Sequence, residues 1–182
     1  ENLFDLEDHP ETEDEEFTPE SEKAWDLEKY EKKLDDLSVV IKAIDKEKLP
    51  EIIGLSEVEN KKVLDDLIQT RIMKKGDYGI VHYESPDIRG IDCALLYRMQ
   101  DFRVISSRAI PVSFPFDSAE TTRDILYVEG ATRENEKLHF FVNHWSSRWG
   151  GEKETEPKRI FCAVALRKEV DALLNREPGA KI

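Results

Sequence analysis

Pro50-Glu51-Ile52-Ile53-Gly54-Leu55-Ser56-Glu57-Val58-Glu59-Asn60 is the stretch on which the reading of this chain turns. Proline closes whatever helix precedes it, and the short apolar run behind it reads as a buried strand. That strand delivers four polar residues, Ser56, Glu57, Glu59 and Asn60, to its C-terminal edge, which is where a sheet displays chemistry. Upstream, apolar residues recur at Leu27, Tyr30, Leu34, Leu37, Ile41 and Ile44, in steps of three and four that stripe one face of a helix running toward Pro50. Downstream, Val63, Leu64, Leu67 and Ile68 stripe a second helix from Asn60, its N-cap, to about Met73.

After Gly76 the period changes to that of strands: Tyr78–Tyr83, Ile91–Tyr97, Phe102–Val112, Asp124–Glu129 and Leu138–Asn143. The turn-forming stretches 84–87 and 133–136 separate them as antiparallel hairpins require, so the sheet is expected to be largely antiparallel. Pro157 then opens a helix carrying Ile160, Phe161, Val164, Leu166, Val170, Leu173 and Leu174, which Pro178-Gly179 ends. Ala180-Lys181-Ile182 resembles the opening of another strand. The expected class is α+β in one domain, since 182 residues suffice for one sizeable core.

Charge is distributed unevenly. Residues 1–22 hold eleven acids and no Lys or Arg, a net of −11, so the formal −13 of the chain leaves only −2 for the remaining 160 residues. A nearly neutral body can meet a polyanion despite the acidic total. The run Asp5–Phe17 lacks the central Gly and the terminal Glu spacing of an EF-hand calcium loop, and it is expected to be a solvated loop. With 39% hydrophobic residues the chain is too apolar for wholesale disorder. No apolar run reaches the roughly 20 residues of a membrane span, and the first ten residues show neither a basic nor an apolar signal region. Cys93 and Cys162 sit in apolar surroundings, match no metal or redox spacing, and are expected to pack as small hydrophobes.

Three stretches put polar groups beside apolar strands: Leu55–Asn60, Arg89–Arg98, and Phe140–Gly151, the last reading Phe-Phe-Val-Asn-His-Trp-Ser-Ser-Arg-Trp-Gly-Gly. With ENLFD (residues 1–5) in front of them, they closely resemble the endonuclease/exonuclease/phosphatase superfamily, the deoxyribonuclease-I-like fold, in its bacterial branch whose first strand reads YNVENLFD. The resemblance covers nearly the whole chain. It implies part of a four-layer αββα sandwich of two mainly antiparallel sheets, with strand edges surrounding a divalent metal and a phosphate. The usual LQEVEN appears here as LSEVEN, with Ser56 in place of Gln and the glutamate retained as Glu57.

Read by position alone, Glu57 is a surface acid beside a helix. The family pattern makes it the metal ligand, a role that suits Mg²⁺, which takes one or two carboxylates, several waters and phosphate oxygens; Mn²⁺ and Ca²⁺ are the alternatives. His144, after Asn143, occupies the place of the family's catalytic His, where an imidazole transfers a proton or hydrogen-bonds a phosphate. Asp92 is either the carboxylate that orients that imidazole or an ordinary edge acid. Arg123 and Arg89 are candidates to grip phosphate oxygens through planar guanidinium groups, with surface ion pairs as the alternative. Ser147, with Ser146 and Arg148, belongs to a polar loop able to hydrogen-bond substrate. Trp145 and Trp149 either stack on a base or cover a core edge.

The resemblance implies a metal-dependent phosphodiester hydrolase, an endo- or exonuclease, with a phosphatase or a phospholipid phosphodiesterase as the neighbouring alternatives. A non-catalytic interaction domain, docking a basic partner on its acidic loop, is the rival from a different class. ENLFD begins inside the YNVENLFD strand, and the GDFND and Ser-Asp-His motifs of the family do not occur in the sequence. The chain is therefore expected to be one incomplete domain, inactive alone, and partnered by the rest of the domain or by itself.

Overall fold

A computed structural model describes residues 2–45, 47–117 and 120–182. Its elements are, in chain order, α1 (Leu27–Ile44), β1 (Ile52–Val58), α2 (Lys61–Gln69), β2 (Tyr78–His82), β3 (Asp92–Arg98), β4 (Phe102–Ile110), β5 (Ile125–Thr132), β6 (Lys137–Val142) and α3 (Glu156–Arg176). Two three-stranded antiparallel sheets form, β1-β3-β2 and β4-β5-β6, so the class is α+β as expected.

Strand alternation assigns the layers. In β3, Cys93, Leu95 and Tyr97 point into the space between the sheets, where they meet Leu126 and Val128 of β5 and Phe140 and Val142 of β6. The alternate residues Ala94 and Leu96 face outward onto Tyr30, Leu34 and Ile41 of α1 and Val63, Leu64 and Leu67 of α2. On the other sheet, Ile125 and Tyr127 face Cys162 and Leu173 of α3. Helices thus cover both outer faces of a sheet pair. Each large side chain buried this way contributes about 1.5–3 kcal/mol, which is ample reason for the sheets to stack. Both cysteines are buried and free, as their surroundings implied.

Element ends differ from expectation for local reasons. The α1 stripe is buried at Tyr30, Leu34 and Ile41, but Leu27 and Ile44 overhang the sheet and are exposed. Asn60 caps α2 by accepting from the Val63 amide at 3.1 Å. That helix stops at Gln69, because the Thr70 hydroxyl and amide both bond the Leu67 carbonyl, and a 3₁₀ turn at Met73–Gly76 follows. Pro111 ends β4 at Ile110, while β5 runs on to Thr132, where Gly130–Thr132 still pair with β4.

The acidic run is exposed over most of its length, as its composition suggests, but it is pinned to the body at particular residues. Asp5 and Asp14 are buried, Phe17 stacks on Phe4, and Leu3 pairs in parallel with the end of β1. Leu6 and Phe17 anchor the two ends of the run, and most of the charges between them are exposed. At the other end Lys181 pairs in parallel with Leu138 of β6, in keeping with the strand opening read at 180–182.

Candidate active site

Glu57 sits at a β-bulge, where β1 slips against β3 between Ser56 and Val58. Its backbone is left-handed, with φ +58°, a conformation costing a non-glycine residue roughly 1–2 kcal/mol. Bulges re-aim side chains, and strain of this kind persists only where the surroundings over-determine it. Here they do: the Leu3 amide donates to the Glu57 carbonyl at 2.9 Å, and the Glu59 amide donates to the Leu3 carbonyl at 3.0 Å.

The re-aimed carboxylate lies in a cleft of about 590 Å³ whose lining includes Glu57, Arg89, Arg123, His144, Ser147 and Trp149. Glu57, Arg89, Arg123, His144 and Ser147, all candidates from the sequence, therefore come together. Glu57 Oε1 lies 3.7 Å from His144 Nε2 and 3.9 Å from Arg89 Nη1, and Arg89 Nη2 donates to Asn2 Oδ1 at 3.0 Å. Burial acts to raise the Glu57 pKa, but positive charge around it, including His144 and Arg89, holds it below the ordinary glutamate value. The His144 pKa is lowered, first by burial and then by Arg123, with Glu57 opposing. The imidazole is thus biased toward its neutral, proton-accepting form. Its Nδ1 is buried and has no hydrogen-bond partner among the described residues.

Asp92 is not what orients that imidazole. It is buried at the start of β3, and its oxygens accept from Ser85, through both amide and hydroxyl, and face His82 Nε2 at 3.1 Å. The reason is register: β2 pairs with β3 so that His82 lies opposite Ala94, two residues from Asp92, and the nearest imidazole takes the carboxylate. Asn143 also leaves the cleft. Its amide nitrogen donates to the Phe141 carbonyl and its oxygen accepts from Trp145 Nε1 at 3.2 Å, which ties the strand end to the loop beyond.

Arg123 is in the cleft wall, engaged as a clamp. It donates to Asp87 Oδ2 at 2.7 Å and to the carbonyls of His144 and Trp145 at 3.3 and 3.2 Å. Ser147 Oγ accepts from the Trp149 amide, which shapes the loop that Trp149 crowns, and Trp149 itself is 90% exposed at the cleft edge. Trp145 packs against the core beneath α3. Sequence reasoning missed Asp87, which looked only like part of a turn. Its Oδ1 also accepts from the Arg89 amide, and its carbonyl from that of Gly90, so it shapes the loop that presents Arg89.

A magnesium-type ion fits this site in one respect. Glu57 is a partly exposed carboxylate in a cleft that also holds the Arg89 guanidinium, and Mg²⁺ takes one or two carboxylates and keeps several waters.

Sequence comparison decides the family. The endonuclease/exonuclease/phosphatase family model matches residues 1–182. The chain belongs to that family. No curated protein matches it. Among solved structures it is similar to the human Nocturnin catalytic domain with bound sulfate, at 17% identity and TM-score 0.55, covering 79% of this chain and 52% of that one. It is also similar to a Bacteroides thetaiotaomicron mannosyl-6-phosphatase, at 15% identity and TM-score 0.59, covering 82% and 53%. A humanized D. rerio TDP2 gives 14%, 0.55, 84% and 53%. The chain thus spans about half the length of the solved structures it matches, and the likeness establishes the deoxyribonuclease-I-like fold. The family is one of nucleases, phosphatases and phosphodiesterases. Among the described residues no helix is long and apolar enough to cross a membrane.

Proposed function

We propose that this chain carries part of the active site of a metal-dependent phosphodiester hydrolase acting on nucleic acid. The observation that carries this is the convergence of a strained, re-aimed Glu57 with Arg89 and a neutral-biased His144 in one cleft. Glu57 would hold a divalent cation, Mg²⁺ or Mn²⁺, which when bound neutralises charge on the phosphoryl oxygens. Arg89, tethered by Asn2 but partly exposed, offers its guanidinium to a phosphate. His144 Nε2 takes the proton of the attacking water or donates to the phosphoryl oxygen as charge develops there. Arg123 and Asp87 hold the His144 main chain in place and are positioning residues. The attack forms one P–O bond to water oxygen and breaks one ester P–O bond, and the departing oxygen leaves as a hydroxyl.

Trp149 favours nucleic acid over a small phosphate ester. An indole 90% exposed at the edge of such a cleft is a stacking platform, worth about 1–3 kcal/mol per base. Plasmid nicking by the full-length protein, with and without EDTA, beside a chromogenic phosphodiester and a phosphomonoester, tests both parts. EDTA-sensitive nicking that Trp149→Ala weakens while sparing the chromogenic diester supports the reading. Turnover of the phosphomonoester alone would move the protein to the phosphatases, and cleavage of none would leave an interaction domain.

A further inference from the structure

Outside the cleft, the acidic N-terminal segment folds two carboxylates, Asp5 and Asp14, into a buried spot beside Glu59 at the end of β1. Asp5 and Asp14 are each 2% exposed and Glu59 is 5% exposed. Glu59 Oε2 accepts from the Asp5 amide at 2.5 Å, and the His9 amide donates to Asp14 Oδ2 at 3.3 Å. His9 turns its ring inward, with Nε2 3.6 Å from Glu59 Oε1. Ligating atoms of Asp5, His9 and Glu59 all lie within 4.8 Å of one another.

These charges are poorly compensated. Lys62 Nζ reaches Asp5 Oδ2 at 3.6 Å, and the Asn60 amide donates to the same oxygen at 3.2 Å. Glu59 Oε1 and Asp14 Oδ1 are both buried and have no hydrogen-bond partner among the described residues. Two facing carboxyl groups in a dry setting are expensive unless they share a proton or a cation stands between them; burial pushes Glu59 up to about 8, so a bound cation would take the place of a shared proton. An adjoining pocket of about 380 Å³, bounded by His9, Glu11, Thr12, Glu59 and Gly90, provides a route from solvent.

We infer that Asp5, Asp14, Glu59 and His9 form a second divalent-cation site, separate from Glu57, that pins the acidic loop to the end of β1. Three carboxylates suit a hard ion, and the imidazole shifts the preference from Ca²⁺ toward Mn²⁺. The site has structural consequences. The loop it closes donates from the Glu13 amide to the Ile88 carbonyl at 2.7 Å, and Thr12 lies where a Cβ on Gly90 would collide with it, at 2.8 Å. The cation would therefore stiffen the segment that carries Asp87 and Arg89. This inference stands on its own residues and does not depend on the hydrolase reading.

The test is calorimetric titration of MnCl₂ into the Glu57→Gln protein, which removes the cleft carboxylate and leaves this cluster whole. One Mn²⁺ site is expected to persist there and to weaken at least about tenfold on adding Asp14→Asn or Glu59→Gln, since even an outer partner of a metal site is worth about 10–100-fold in affinity. His9→Ala changes a half-exposed side chain, keeps the fold, and should weaken Mn²⁺ more than Ca²⁺. Glutamate-specific proteolysis gives a second readout, because cleavage after Glu11, Glu13, Glu15 or Glu16 should slow when Mn²⁺ is added. Binding lost entirely in Glu57→Gln, or retained unweakened in both Asp14→Asn and His9→Ala, would overturn the inference.

Discussion

Replacing Arg123 by Met separates two roles that a guanidinium in a phosphate cleft can play. Arg123 is 11% exposed and Asp87 3% exposed, with their charged atoms 2.7 Å apart. Removing the arginine leaves the Asp87 carboxylate buried with only the Arg89 amide on its other oxygen. Breaking one side of a buried pair costs about 3–5 kcal/mol, whereas the carbonyls of His144 and Trp145 can turn to cleft water and add little. For a chain of this size each kcal/mol moves the melting temperature by roughly 2–4 °C, so Arg123→Met should melt about 6–20 °C lower. Asp87→Asn keeps an acceptor for the Arg89 amide and should lose less. The double variant should be less damaged than the sum of the two, with a coupling of roughly 1–3 kcal/mol by urea denaturation. An Arg123 reserved for phosphate predicts the reverse pattern. A single variant within about 1 kcal/mol of the parent, with additive behaviour in the double, would refute the clamp.

Three further outcomes follow from the same geometry. Glu57→Gln should weaken Mg²⁺ at the cleft, measured by calorimetry, without unfolding the domain, because main-chain hydrogen bonds to Leu3 hold the strained backbone. His144→Ala should reduce kcat by about 10² or more with little change in KM, as loss of a proton-transfer group requires. Asp124 has a raised pKa because it is buried, and its Oδ1 has no partner among the described residues. A carboxyl whose folded pKa exceeds its unfolded one costs stability that builds as pH rises from the unfolded value and is complete above the folded value. Asp124→Asn should therefore melt higher than the parent at pH 7, with the gap closing as the pH falls to 4; a gap independent of pH would mean that packing, not charge, is responsible.

The layers were legible because they rest on local periodicity. Ile53 and Leu55 of β1, Ala94 and Leu96 of β3, and Ile125 and Tyr127 of β5 alternate at a period of two, and Pro50 and Pro157 punctuate the helices. The meeting of Glu57 and His144 in one cleft was legible because the motifs that carry them lie at strand ends. What could not be read is pairing at a distance. Asp87 and Arg123 are 36 residues apart with no pattern between them. Asp92 turns to His82 only because of the β2–β3 register, which a one-residue slip would undo. The left-handed backbone of Glu57 leaves no mark either, since glutamate is not a residue chosen for that conformation. Net charge, finally, described residues 1–22 and the exposure of most of their acids, but composition does not say that Asp5 and Asp14 are the ones that fold inward.

The bulge in β1 has a consequence for every experiment near it. A regular strand would send Glu57 and Glu59 to the same face; here a left-handed residue intervenes, so Glu57 opens on the cleft while Glu59 turns back to Asp5. One short backbone segment holds both: Leu3 donates to the Glu57 carbonyl and accepts from the Glu59 amide. Any shift of residues 2–5 must move both carboxylates together, and with them Asn2, which tethers Arg89. Substitutions in that segment will couple the cleft to the buried cluster, so the two centres are separated by side-chain changes outside it, Glu57 or His144 for one and His9 or Asp14 for the other.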